Sequence, residues 1–171
     1  MIRIIVNLAM KKIIILFLLS FNLSFCNSLG LSQMDILILK KIKSLTDDNY
    51  MKYTLMAIAL KESSIGKNLI NPISNDYGLF QSNIKSVIKR QKVQDNLFNR
   101  KYFANKLLSD VGFATANAIV EIDFWRKVHK ENWVKVWASY NTGWSYKSDT
   151  GVIYATNVFD IIKKLKFEYN L

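Results

Sequence analysis

The sequence predicts a mainly α protein with one short hairpin, and three observations carry that prediction. From residue 32 onward apolar residues recur at the period of an amphipathic helix. No stretch alternates apolar and polar residues for long enough to make a convincing half-buried strand. The single proline, Pro72, and the turn formers Asn68, Asn71, Asn75 and Asp76 are gathered in one place, residues 66–76, so the helical pattern breaks there and resumes after it.

The residues before this pattern stand apart. Met10-Lys11-Lys12, an apolar run over 13–25 and the ending Cys26-Asn27-Ser28 have the three-part layout of a secretory signal peptide. A membrane-spanning helix needs roughly 20 apolar residues, and Lys11 and Lys12 stop the run from extending upstream. Residues 1–28 are therefore read as a signal peptide, with Met10 an alternative start. Residues 29–171 are read as one domain, exported to the periplasm or cell envelope and acting as a monomer. An uncleaved N-terminal anchor is the competing reading. Cys26 is the only cysteine, so no intramolecular disulfide can form. Phe25 directly before it disfavours anchoring as a lipoprotein, which requires a small residue there.

The leader carries Arg3, Lys11 and Lys12 and no acid, so without it the net charge of +11 becomes +8. Excess positive charge suits an anionic polymer and says nothing about fold. Export makes the cell wall the natural partner, and nucleic acid is not expected. The remaining chain, about 145 residues, buries roughly two-thirds of its unfolded surface, enough for a core without disulfides.

The elements follow in order. Ser32 and Asp35 have capping-box spacing, with Asp in place of Glu. They open a helix with Ile36, Leu39, Ile42 and Leu45 on one side. Thr46, Asp47 and Asp48 start a second helix, with carboxylates at its electropositive end. That helix carries Met51, Leu55, Ile58 and Ala59 towards the core and runs out near Glu62. After the break, with a short hairpin expected near residues 70–80, helical character returns through Val87 and the basic residues Lys89, Arg90 and Lys92. A helix through Phe113, Ala116, Val120 and Phe124 comes next. Trp133, Val136, Trp137 and Tyr140 fall at i, i+3, i+4 and i+7 of another, which stops at Asn141-Thr142-Gly143, a C-terminal cap. Tyr154, Val158, Ile161, Ile162 and Leu165 form one stripe of the last.

Glu62 is the first candidate for chemistry. A glutamate at a helix end is most often solvated. Here the preceding run, Met56-Ala57-Ile58-Ala59-Leu60, is apolar on most faces, so the helix end is expected in the core. The negative end of a helix disfavours an ionised carboxylate, and burial raises a carboxyl pKa. An acid kept protonated near neutral pH is what glycosidic cleavage requires, because the leaving oxygen must take up a proton. The other polar residues are bland one by one. Asp76 reads as a turn residue, Gln81 as a surface amide, Tyr140 and Asn141 as a core aromatic and its cap, and Tyr154 as core. His129, between Lys127 and Lys130, reads as solvated. There is no His/Cys cluster, Gly-rich phosphate loop or nucleophile elbow, so neither a metal nor a cofactor is expected.

Combination and order make these residues specific. Glu62-Ser63, then Tyr77-Gly78-Leu79-Phe80-Gln81, then Ala138-Ser139-Tyr140-Asn141-Thr142-Gly143, then Tyr154 in a terminal helix resemble the lytic transglycosylase domain and its lysozyme-like fold. The family pattern is a helix ending in Glu-Ser, a Gly-Leu-Met-Gln-like segment, an Ala-x-Tyr-Asn-x-Gly segment and a late tyrosine. The resemblance covers about residues 45–165. It implies that Glu62 is the single catalytic acid and base. It implies too that Ser63, Ser64, Gly78, Phe80, Gln81, Tyr140, Asn141 and Tyr154 bind the saccharide, with Tyr140 or Tyr154 holding Glu62. Phe80 stands where Met is common, and Asp76 where many members have a small residue. Asp-Tyr-Gly-x-x-Gln is similar to the small transglycosylases of secretion and pilus systems. It is similar also to animal-type lysozymes, where that aspartate is the second catalytic carboxylate.

The reaction implied is cleavage of the β-1,4 bond between N-acetylmuramic acid and N-acetylglucosamine in peptidoglycan, leaving 1,6-anhydro ends. Hydrolysis by Glu62 and Asp76 together is the nearest rival. A non-catalytic wall-binding module using Lys89, Arg90, Lys92 and exposed aromatics is the rival from another class. The partners implied are peptidoglycan glycan strands and a secretion, conjugation or pilus apparatus; general wall turnover and a phage role fit the residues equally well.

Overall fold

The computed structural model describes residues 29–171. The expected signal peptide, Cys26 and the start at Met10 lie outside the described residues. The capping box forms as its spacing predicts: Asp35 N–H donates to Ser32 Oγ (3.1 Å) and Ser32 N–H to Asp35 Oδ2 (2.9 Å). It opens α1 (Gln33–Lys43), which buries Leu39 and Ile42. Asp48 caps α2 (Asn49–Ser63), its Oδ1 accepting from the amides of Tyr50 and Met51.

Helix α2 is the axis of the domain. Met51, Thr54, Leu55, Met56, Ala57, Ile58 and Ala59 are all buried, so it is enclosed on most sides rather than along one stripe. The one polar group in that run is satisfied, Trp137 Nε1 donating to Thr54 Oγ1 at 3.1 Å. Three two-residue strands follow, β1 (Ile70–Asn71), β2 (Asp76–Tyr77) and β3 (Ser82–Asn83), antiparallel in the order β1-β2-β3. Asp76 pairs with Asn71 on one side and Asn83 on the other. The expected hairpin is thus extended by a third strand, too short to show alternation.

Asn83 then caps α3 (Ile84–Gln91). Helix α4 (Leu97–Ser109), capped by Asn96, is an element that periodicity does not reveal. Its buried residues are only Phe103, Ala104 and Leu107, while Leu97, Phe98 and Tyr102 are exposed, so no clean apolar stripe marks it. Helix α5 (Val111–His129) is present but turned relative to expectation. Val120 and Phe124 are half exposed, and the buried face is Ala114, Ala118, Ile122 and Trp125 with Thr115 and Asn117. The two polar residues are buried at little cost, bonding back to their own helix at Val111 O (2.7 Å) and Phe113 O (3.0 Å).

Helix α6 (Trp133–Thr142) ends on Gly143, φ +59°, as the Asn-Thr-Gly cap predicts. A 3-10 turn, Gly143–Ser145, leads to α7 (Asp149–Phe167), whose buried stripe includes Tyr154, Val158, Ile162 and Leu165. Helix α7 packs on α6 and α2, and α6 packs on α5. The end of α2 meets the N-terminal part of α7, Glu62 against Tyr154. No helix among the described residues is long and apolar enough to cross a membrane.

Candidate active site

Glu62 is the penultimate residue of α2, and the chain reverses immediately after it. Ser64 (φ +51°), Ile65 (φ +55°) and Gly66 (φ +99°) are all left-handed. Ile65 N–H reaches back to Ala59 O and Ser64 N–H to Leu60 O, closing the helix. That conformation is strained for a β-branched residue, and the Ile65 side chain, 3% exposed, is held there by the core.

Ser63 fastens the turn to the rest of the site. Its Oγ lies 3.0 Å from Ala59 O and 2.9 Å from Leu79 O and accepts from Gly66 N–H at 3.1 Å. Its side chain is fully buried, which corrects the expectation that it touches saccharide: it ties the helix end to the Gly78–Gln81 segment. Ser64 also departs from expectation. It lines a separate cavity with Leu29, Asp35 and Ile161 rather than the one containing Glu62. Gly78 (φ +82°) is a steric requirement, since a Cβ there would sit 2.3 Å from Leu107 O. The Phe80 ring is core, 1% exposed. What Phe80 presents is its carbonyl, which accepts from Tyr140 OH at 2.9 Å.

Glu62 lines a cavity of about 330 Å³ with Lys61, Asn141, Thr150, Ile153, Tyr154 and Asn157. Tyr154 OH donates to Glu62 Oε1 at 2.5 Å. Burial pushes the Glu62 carboxyl above the usual carboxylate range; the Tyr154 hydrogen bond and Lys61 pull it down, and the Asp76 charge adds to the rise. The phenols of Tyr154 and Tyr140 are both held well above their ordinary value, first by burial and then by the charge of Glu62. Both therefore stay protonated as donors. Of the two tyrosines expected to hold Glu62, Tyr154 makes the bond and Tyr140 supports the Phe80 backbone.

Beside this lies a second cavity of about 190 Å³, lined by Asp76, Gln81, Ser82, Asn83, Ser86, Arg90, Glu121 and Tyr140. Tyr140 and Asn141, adjacent on α6, line one cavity each. Asp76 Oδ1 accepts from Asn83 Nδ2 at 2.9 Å. Gln81, itself left-handed (φ +46°), commits its amide N–H groups to Asn68 O and Gly78 O.

The sequence does not mark Ser82, Asn83, Ser86 or Glu121 of this cavity as site residues, and it offers Arg90 only as part of a basic patch. Arg90 forms an ion pair with Glu121, whose other oxygen accepts from Trp125 Nε1 at 2.9 Å. Arg90 is thus turned inward and does not belong to a free basic patch with Lys89 and Lys92. The i, i+4 spacing of Glu121 and Trp125 is the only trace in the sequence. His129 is also corrected: it stacks on Trp125 and its Nε2 lies 2.8 Å from Ser139 Oγ, and burial lowers its pKa. Among the described residues no group of three or more His, Cys, Asp or Glu is placed to hold a metal.

The mainly helical domain with its small antiparallel sheet agrees with the lysozyme-like fold of the family whose model it matches. Within that class the chain belongs to the family described as the Transglycosylase SLT domain, whose model matches residues 41–153. The family is of the lytic transglycosylase type. The match stops one residue short of Tyr154, so the bond to Glu62 is a finding of the structure. The chain is similar to a protein of Enterobacteria phage T4 described as an uncharacterized 20.7 kDa protein in the vs-regB intergenic region. The two are 31% identical over 116 residues, which is 67% of this chain and 62% of the relative's length. No solved structure matches the chain.

Proposed function

We propose that the protein is a peptidoglycan lytic transglycosylase with Glu62 as its single general acid and base. The observation that carries this reading is the Glu62 carboxyl itself, mostly buried at a helix end and held by the Tyr154 hydroxyl. Burial raises the carboxyl pKa and so favours the protonated form, which can give its proton to the glycosidic oxygen between N-acetylmuramic acid and N-acetylglucosamine. The C1–O bond breaks and leaves an oxocarbenium-like muramoyl centre. The Glu62 carboxylate, now an anion accepting from Tyr154, takes the proton of that sugar's 6-hydroxyl. The oxygen closes on C1, so the product is a 1,6-anhydro ring and no water is consumed. One carboxylate suffices because the nucleophile belongs to the substrate, an effect of proximity. Mass spectrometry of digested wall tests the reading: anhydro ends are expected, with their loss in Glu62→Gln.

A second reading is hydrolysis by Glu62 and Asp76 together, and the observation in its favour is that the Asp76 charge is felt at Glu62. It predicts reducing ends instead. A wall-binding module without activity predicts binding and no released fragments from either wild type or Glu62→Gln. The proposal includes export of residues 29–171 to the periplasm or cell envelope after removal of 1–28, checked by N-terminal sequencing of envelope-associated protein. A secretion, conjugation or pilus apparatus, wall turnover and phage-mediated lysis are the settings in which such an enzyme would act.

A further inference from the structure

Trp144 is 69% exposed, unusual for the side chain with the most apolar surface to hide. It is nonetheless fixed in place. Gly143, in a backbone conformation that favours glycine, ends α6 and turns the chain so that the Trp144 ring lies over α5. There it meets the Trp125 ring at 5.1 Å and 76°, and the Phe124 ring at 6.4 Å and 88°. Edge-to-face contacts hold an indole without covering both of its faces. Phe124, 49% exposed, extends the same apolar surface.

Two residues tie the platform to the cleft wall. Asn141, three residues before Trp144, lines the Glu62 cavity. Trp125, buried beneath Trp144, donates its only polar hydrogen to Glu121 of the Asp76 cavity. The indole thus sits on the same support as the cleft wall, and its exposed face has no partner among the described residues.

We propose that Trp144, with Phe124 beside it, is a sugar-stacking platform that takes one N-acetylhexosamine ring of a glycan strand where the strand leaves the cleft. A pyranose presents axial C–H groups to an aromatic face, and a polymer of such rings is long enough to reach beyond the bond being cut. The proposal rests on the peptidoglycan reading of the site and adds a contact for strand length. It would favour long strands over short fragments.

The test is binding of purified glycan strands of graded length to the full-length Glu62→Gln protein, with and without Trp144→Ala. Stacking of this kind predicts that Trp144→Ala weakens binding about 3- to 10-fold for long strands, with the loss growing with strand length. Trp144→Phe is expected to restore most of it, and Phe124→Ala to show a smaller loss. A loss equal at every length, or none, overturns the platform while leaving the cleft reading intact. A shift of the sedimentation coefficient with Trp144→Ala and no change in glycan binding would make the patch a contact between copies, and also overturns it. If Glu62→Gln binds no strand of any length, the peptidoglycan reading fails and the platform with it. Thermal unfolding of each variant keeps loss of fold apart from loss of stacking.

Discussion

The two carboxylates of the cleft, Glu62 and Asp76, are held by different kinds of structure. Glu62 closes a 15-residue helix buried on most of its sides, and its partner Tyr154 comes from another long helix. Asp76 stands on a two-residue strand, and its partner Asn83 is seven residues away in the same small sheet. The first arrangement desolvates the carboxyl and disfavours its charged form. The second gives Asp76 a neighbouring amide donor, and both carboxylates are partly buried. By this difference Glu62 is the acid of the proposed reaction.

The largest effect that bears on the comparison is loss of the acid. Glu62→Gln is expected to reduce the cleavage rate by about 10²- to 10⁴-fold. Linkage gives the same variant a second signature. A carboxyl with a raised folded-state pKa keeps its proton in the native state after the unfolded chain has lost it. Native-state stability therefore falls as pH rises from the ordinary carboxyl range through the raised value. Glu62→Gln removes that slope, so the variant should melt above wild type at neutral pH and show no advantage at low pH. A variant that is inactive and also less stable at every pH would mean that Glu62 supports the fold.

Gly78→Ala attacks the other arm. Its Cβ would have to displace the Leu107 carbonyl, and its φ is left-handed; strain and overpacking together are expected to cost about 2–5 kcal/mol. Thermal or urea unfolding would register this, and binding of wall fragments should weaken as β2 and β3 shift. An alanine tolerated without loss would show that the sheet floats free of α4.

Tyr154→Phe sharpens the Glu62 side more gently. The lost hydrogen bond, about 1.5–3 kcal/mol to a charged group, is felt by the ionised carboxyl that accepts the 6-hydroxyl proton. The rate should fall about 10-fold or more. Because that bond lowers the Glu62 pKa, its removal moves the high-pH limb of the activity profile upward. A limb that stays put or moves down would show that the phenol does not act on Glu62.

Much of this site is legible in the amino-acid sequence, and the parts that are not share a cause. Glu62, the capping box and the α6 cap follow from local chemistry that a short window contains. The stripes of α6 and α7 follow from period alone. Ser63 and Phe80 read as saccharide ligands but serve the scaffold, because their contacts with Leu79 O and Tyr140 OH span 16 and 60 residues. The Arg90–Glu121 pair spans 31 residues, and only the i, i+4 spacing of Glu121 and Trp125 is local. Period locates helix α5 and turns it the wrong way, since Thr115 and Asn117 bury polar groups by bonding to their own helix. Periodicity locates elements; it does not report which polar groups have found partners.

The smallest expected effect is also the one that decides between the two reactions. In the transglycosylase reading Asp76 never touches the reacting carbon, and Asp76→Asn removes only a neighbouring negative charge. That charge contributes to the raised Glu62 pKa, so its loss lowers that pKa. The high-pH limb of activity should move slightly downward, with a rate change below about 3-fold at its optimum, since a remote charge in a solvated cleft is heavily screened. In the hydrolytic reading the same substitution removes the group that activates water or bonds to the sugar, and the rate should fall by about 10²-fold or more. Asparagine keeps the size of the side chain and can still accept from Asn83, so the sheet should survive and the comparison is of chemistry alone. A large loss together with reducing ends would transfer half of the mechanism to the sheet, and the helix-held glutamate would then be one member of a pair.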